Sequence, residues 1–484
     1  MLMLRNTLSR YLALGCLAAG TVLTTSCEKY LDIKPTRELL FEQGFDTPAK
    51  VDAFLLSGYN RLQSANFYGG QVQIVSELLG DNLNFTAIQG SGGDADFRQR
   101  QFSIFSNPGS NIWENGYQAI ANANLALEAV DKNLFTADQA TKNRIKGEAL
   151  FMRAIAHFEL VRLFAKPYSN NPGSDPGIVL RTRVLSSNEA AQKVGRNTVG
   201  EVYAQVISDL QAAAGLLPTQ NADRATSWAA KALLARVYLD QNDYSNAAQQ
   251  ADDVIQNGGF SLGTPPESVV GPFRQVGAGQ RYSSVIFQIV NQQGSDQASS
   301  LRNAFYNYFG SSVRLYLNEG PNSISDALRQ RGGLRYDSLV VVNEVSDPTT
   351  PTPYPYSNKF RGNDAFATNP ANVPIIRLQE MYLTRAEARA AQGGASESAV
   401  RADVNAVRAA AGRPADNSTT GQQNLLALVR DERRLELFLE NDRYHQLRRL
   451  QLPSRGIAFN SGRVLPIPLS EVNGNPNIEQ NTGD

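Results

Sequence analysis

The strongest constraint on how this chain folds is a pair of apolar stripes at helical spacing, joined by a short polar turn. Ala229, Ala232, Leu233 and Val237 share one face of a 3.6-residue helix, and beyond residues 241–243 so do Tyr244, Ala247, Ala248, Ala251, Val254 and Ile255. Two such helices with small residues at the seam predict an antiparallel helical hairpin.

The same texture runs through much of the chain. Ala149, Met152, Ala156, Leu160 and Leu163 form another stripe, and Thr198 with Glu201 makes a capping box that starts a helix before Val199, Val202, Tyr203, Val206 and Leu210. Three segments echo one another: EALFMRA (148–154), KALLARV (231–237) and EMYLTRA (380–386). Each has a polar head, an apolar middle and an arginine in sixth place, namely Arg153, Arg236 and Arg385. Their spacing is irregular, which suits divergent hairpins of the tetratricopeptide kind better than a regular solenoid.

Residues 36–258 are therefore predicted to be mainly helical, and the pattern returns over 375–450. There Val400, Val404, Val407 and Ala411 form a stripe stopped at Gly412, and Leu425, Leu428, Leu435 and Leu439 form the next. Between them, residues 259–374 are rich in Gly, Pro, Ser, Asn and aromatics, with strands expected at 282–290 and 339–342. The aromatic clusters NAFYNYFG (303–310) and PYPYSNKF (353–360) mark this insertion as ordered and functional. The fold class is mainly α, with hairpins capped by a loop-rich region.

The first residues read as an export signal. Arg5 and Arg10 precede an apolar run over 11–23, too short to span a bilayer, and Thr24, Thr25 and Ser26 precede Cys27. That order predicts a signal peptide over 1–26 and lipidation at Cys27, with plain secretion as the alternative. A multiply acylated cysteine anchors stably, because each buried methylene contributes roughly 0.8 kcal/mol. Cleavage there also removes Cys16, so no disulfide forms within the mature chain, and stability rests on the core.

Composition narrows the chemistry. The chain has 46 basic and 46 acidic residues, and loss of Arg5 and Arg10 leaves 44 against 46, which gives no nucleic-acid footprint. Only two histidines exist, His157 and His445, which argues against histidine zinc sites, and no Gly precedes a Lys as a Walker loop requires. Both histidines are expected to pack in helices. No cofactor and no metal is called for. Glu432, Glu436 and Glu440 lie four residues apart along one helix face, an arrangement that suggests paired acid/base chemistry. Arg433, Arg434 and Arg443 stand nearby in sequence, so charge-paired packing is the stronger reading, with Arg385 as a candidate partner for Glu432.

Taken in order, the motifs resemble the SusD/RagB family, the nutrient-binding lipoproteins of Gram-negative outer membranes. SCEKYLDIKP (26–35) resembles the lipidated start and WENGYQAIANAN (113–124) a family helix. EALFMRAIAHFELVRLF (148–164) and SWAAKALLARVYL (227–239) resemble the central helices. VPIIRLQEMYLTRAEARA (373–390), DERRLELFLENDRYHQLRR (431–449) and LPIPLSEVNGNPNIEQN (465–481) resemble the C-terminal signatures. Where the family carries E-G-x-R followed by an aromatic, an Asp and a Leu, this chain has Glu440, Asn441, Arg443, Tyr444, Gln446 and Leu447. Asn is able to take the left-handed conformation a Gly supplies.

The resemblance implies a single SusD-like domain over 27–484, anchored by lipid to the outer membrane and facing the exterior. It also implies a SusC-like TonB-dependent transporter as partner, with an oligosaccharide or peptide as ligand and no catalysis. Sugar capture lays apolar ring faces on aromatics while polar groups bond the hydroxyls. The candidate ligand-binding residues are Asp81, Asn82 and Phe85, then Phe305, Tyr306, Tyr308 and Tyr316. Trp113 and Trp228 both fall on helical stripes, which argues against a tryptophan platform. A surface glycoside hydrolase using paired carboxylates and a pure helical-repeat scaffold are the competing classes.

Overall fold

The computed structural model describes residues 44–85, 92–100, 107–190, 192–274, 281–291, 314–342, 354–360, 372–393, 396–459 and 464–481. By internal contacts the chain divides into Met1–Asp46 and one compact unit, Thr47–Asp484. Cys27, Phe305, Tyr306 and Tyr308 lie outside the described residues.

The compact unit is a ladder of helices, each packed on the next. In chain order the long ones are α1 (Pro48–Gln63), α2 (Asn107–Asp131), α3 (Gln139–Phe164), α4 (Val199–Leu216), α5 (Ser227–Asp240), α6 (Tyr244–Asn257), α7 (Leu378–Gln392), α8 (Glu397–Ala410) and α9 (Gln422–Glu436). α1 packs on α2, α2 on α3, α3 on α4, α4 on α5, α5 on α6, α6 on α7, and α7 on both α8 and α9. Local sequence starts most of them. Asp138 accepts the Thr141 amide at 2.7 Å, Thr198 and Glu201 close the capping box, and Thr226, Asp243 and Ser396 cap α5, α6 and α8.

α3 is buried almost all round from Ile145 to Phe164, as a helix at the centre of a core must be. Its neighbours approach closely because glycine leaves room: a Cβ on Gly116 of α2 would sit 2.9 Å from Leu160, and one on Gly58 of α1 would collide with Met152. α5 and α6 form the hairpin read from the sequence, with the turn residue Asn242 at φ +60°. α8 ends at Ala410, with Gly412 at φ +67°, as its stripe implies.

The insertion between α6 and α7 is built from short pieces. β2 (Val285–Ile289) pairs antiparallel with β6 (Val373–Arg377), which runs straight into α7. β1 (Leu83–Phe85), from the first helical part, pairs with β3 (Leu315–Leu317) of the insertion, and β4 (Val340–Val342) pairs with β5 (Pro355–Ser357). The two expected strands are thus present but shorter: 282–284 stay outside β2, and Leu339 closes the short helix Leu334–Leu339 instead of opening β4.

Candidate ligand-binding site

The β1/β3 pair brings sequence-distant polar and aromatic groups to one face. In the antiparallel register Asn84 stands opposite Tyr316, and Phe85 opposite Leu315. Because side chains alternate, Asn84 and Tyr316 share one face while Leu83, Leu315 and Leu317 bury on the other. Tyr354, just before β5, lies against Tyr316 with ring centroids 4.3 Å apart and planes 31° from parallel. Both tyrosines and Asn84 are partly exposed. Burial, and then the neighbouring Tyr354, push the Tyr316 phenol up to about 12, so it stays a neutral hydrogen-bonding group at any physiological pH. A near-stacked tyrosine pair beside an amide has the chemistry to hold a ring with hydroxyls at its edge.

The strands are held from behind by charge. Arg314 grips Asp94 of the helix Gly92–Gln99 through bonds of 2.8 and 2.5 Å, and Arg455 donates to the Leu83 carbonyl at 2.7 Å. Asp81 accepts two bonds from Arg443, at 2.7 and 2.8 Å, with Arg434 at 3.4 Å. Asn82 is fully buried; it donates to Glu77 at 2.7 Å and accepts from Arg434 at 3.3 Å. The structure therefore brings Asn84, Tyr316 and Tyr354 together, commits the side chains of Asp81 and Asn82 to protein partners, and sets Phe85 on the face away from Tyr316. Tyr354 and Asn84 were not singled out by sequence, although Tyr354 sits in the PYPYSNKF cluster.

The acidic row is saturated with cations from elsewhere in the chain. Glu432 meets Arg335 at 2.8 Å, Arg413, and Arg408 at 3.6 Å. Glu436 meets Arg335 at 2.6 Å and Arg377 at 2.7 Å, and Glu440 meets Arg377 and Lys359, each at 2.6 Å. Arg385 instead pairs with Asp403 and Asp252, which corrects the partner expected for Glu432. The nearby arginines also turn elsewhere: Arg433 to Asp442, and Arg434 and Arg443 to Asp81. α9 itself stops at Glu436; Leu439 and Asn441 take positive φ, and the chain turns with Glu440 still inside the cluster. Burial opposes ionisation of Glu436, but Arg335, Arg377 and Lys359 hold its carboxyl down at about 2. A carboxylate fixed this way is a poor proton donor at neutral pH.

The two histidines are buried as well. Burial, then Arg153, lowers His157 to about 3; burial, then Arg162, lowers His445 to about 4, and both rings pack inside helices. The single G-x-S-x-G string, Gly259 to Gly263, runs through a loop after α6, lacking the strand-to-helix turn a nucleophile elbow needs. Among the described residues no cluster of three His, Cys, Asp or Glu side chains is placed to hold a metal ion, and no helix is long and apolar enough to cross a membrane.

Comparison with known proteins agrees with this architecture. Residues 29–239 match a SusD-like family model described as starch-binding associating with outer membrane, and residues 342–463 match the SusD family model. The SusD-like protein P2 of Formosa agariphila is 25% identical over an alignment of 507 positions, covering 93% of this chain and 95% of its own. The starch-binding protein SusD of Bacteroides thetaiotaomicron is 35% identical over 132 positions, 24% of this chain and 22% of its own. The solved structure of a SusD superfamily protein from the same organism superposes with a TM-score of 0.79 at 25% identity, covering 90% of this chain and all of that one. A putative sugar binding protein from Bacteroides vulgatus gives 0.78 at 26%, covering 91% and 99%.

Proposed function

The chain belongs to the SusD/RagB family of outer-membrane-associated nutrient-binding proteins, and on that premise we propose that it is a cell-surface lipoprotein that captures an oligosaccharide and delivers it to a SusC-like TonB-dependent transporter. Residues 1–26 act as the signal peptide, Cys27 carries the lipid, and 27–484 form a single ligand-binding domain. The observation that carries the reading is the Tyr316–Tyr354 stack beside Asn84. Two apolar ring faces flanked by an amide and two phenols match a pyranose better than they match a peptide backbone, which asks for a row of paired amides and carbonyls. Phe305, Tyr306 and Tyr308, close by in sequence to β3, remain candidate ligand contacts on their sequence alone.

The protein acts as a carrier and not as a hydrolase in this reading, because the carboxylates that would serve as acid and base are tied up in ion pairs. A thermal-shift screen of the soluble mature domain against oligosaccharides and against short peptides tests it, since a ligand that binds only the native state raises the melting temperature. Shifts with saccharides support the proposal. Stabilisation by peptides alone would assign the site to peptides.

A further inference from the structure

A second cleft, of about 550 Å³, opens where the ends of α5 and α6 meet the chain before β2. Trp228 from the first turn of α5, Phe260 from the loop after α6 and Tyr282 from the approach to β2 line it, and all three are partly exposed. The helical stripe argues against a sugar platform at Trp228, but its place at the start of α5 leaves the ring partly exposed on the cleft. The aromatics are held in place. A Cβ on Gly258 would sit 2.7 Å from the Phe260 ring, and one on Gly263 2.7 Å from the Tyr282 hydroxyl, so both rings lie tight on glycine backbone. Lys231 lies over Trp228, 4.7 Å from the ring centre, and is paired with Asp253 at 2.6 Å, but neither residue lines the cleft.

The lining contains amides, Asn221 and Asn257 among them, and one charged side chain, Arg281. That guanidinium donates to three backbone carbonyls, those of Ile286 at 2.7 Å, Ala222, and Arg224 at 3.5 Å. Among the described residues it has no ion-pair partner. Asp223 and Glu267 lie near enough to act on Arg281 and Tyr282 through their charge, yet neither lines the cleft. A partly desolvated cation satisfied only by dipoles gains most from an anionic group on a ligand. Aromatic faces and amides around it suit a sugar ring.

We infer that this cleft is an accessory subsite for an acidic saccharide, with a uronosyl ring packed on Trp228, Phe260 and Tyr282 and its carboxylate on Arg281. The inference rests on the proposal that the protein binds saccharides, but not on the Tyr316 surface. Its test uses the protein's own fluorescence, because Trp113 is only 4% exposed and Trp228 is the sole other tryptophan.

Acrylamide quenching of the mature domain is measured with trigalacturonate, trimannuronate, neutral galactotriose and triglutamate, in the wild type and in Trp228→Phe, Phe260→Ala, Arg281→Gln and Tyr316→Ala. The expected result is protection by at least one uronate but not by galactotriose, absent in Trp228→Phe and unchanged in Tyr316→Ala. Arg281→Gln and Phe260→Ala each weaken the uronate about tenfold or more; Phe260→Ala carries the test if loss of the carbonyl contacts unfolds Arg281→Gln. Failure of both uronates to protect Trp228, while neutral sugars still bind in a Tyr316-dependent way, overturns the accessory site alone. Protection by triglutamate as strong as by uronate overturns the saccharide assignment. Protection lost in Tyr316→Ala but kept in Phe260→Ala shows that no second subsite exists, and absence of binding by any saccharide removes both proposals.

Discussion

Arg236 and Glu380 are joined by two hydrogen bonds of 2.7 Å, tying α5 to the first turn of α7 across the whole insertion. Arg236 is the sixth residue of KALLARV and Glu380 the first of EMYLTRA, so two of the echoing segments clasp each other. The other sixth-place arginines do the same for their own neighbours, Arg153 with Asp209 of α4 and Arg385 with Asp403 of α8. Breaking one partner of a buried pair costs about 3–5 kcal/mol, because the remaining charge is left uncompensated. Arg236→Ala is expected to destabilise by that much in urea denaturation. The double change Arg236→Met with Glu380→Met is expected to cost less than Arg236→Ala alone, since it leaves no orphaned charge. Equal or greater loss in the double variant would show that the pair contributes net stability.

The acidic row gives a second expectation. Glu436→Gln removes the charge that faces both Arg335 and Arg377, and should lower stability by roughly 3 kcal/mol or more. Wild-type protein incubated with oligosaccharide should release no new reducing ends. Release that disappears in a folded Glu436→Gln variant would make the row catalytic.

Stability should vary with pH in two opposed windows. Against the push of burial, the cations around Glu436, Arg449 beside Glu387, and Arg443 beside Asp81 hold these carboxyls at about 2. Their folded values lie below the unfolded ones, so their contribution is full above about pH 4.5 and is lost as pH falls toward 2. Glu77 runs the other way. Burial, opposed by Asn82 and reinforced by Asp442, raises it to about 7, so the folded state keeps a proton that the unfolded state has released. Stability then falls as pH rises from about 4.5 to 7 and levels off above. Glu77→Gln should abolish that slope, gaining up to about 3 kcal/mol on the wild type between pH 5 and pH 8 in denaturant titrations. A slope that persists in the variant would place its origin elsewhere.

What the sequence made legible was local. The α5–α6 hairpin and the Thr198–Glu201 cap depend on residues within a few turns of each other, where spacing alone carries the information. Partners remote in sequence were not readable. Glu432 finds Arg335, 97 residues away, and no periodicity links them. The candidate site divides the same way. Loop position and aromatic content picked out Tyr316, whereas its stacking on Tyr354 depends on strand pairing that brings separate segments together. Asp81 and Asn82 are a loop carboxylate and amide of the kind that bonds sugar hydroxyls, but Arg443 and Arg434, which engage them, come from the far end of the chain.

Membrane attachment and partnership are tested together. Cys27→Ser should abolish incorporation of labelled palmitate and release the protein from the membrane fraction. Detergent extraction of the lipidated form should recover a large β-barrel with it. Unchanged fractionation of the Cys27→Ser protein would remove the lipid anchor from the account, and absence of a barrel would remove the transporter.

The most direct measurement is calorimetric titration of the mature domain with the best-stabilising oligosaccharide, in the wild type and in Tyr316→Ala. Tyr316 is partly exposed and its ring contact is with Tyr354, itself partly exposed, so its loss should cost no more than about 2 kcal/mol of stability. The account predicts binding weakened about tenfold or more, with the free protein still folding cooperatively and its melting temperature lowered by only a few degrees. Wild-type affinity in Tyr316→Ala would contradict the assignment of the Tyr316–Tyr354 face as the sugar platform.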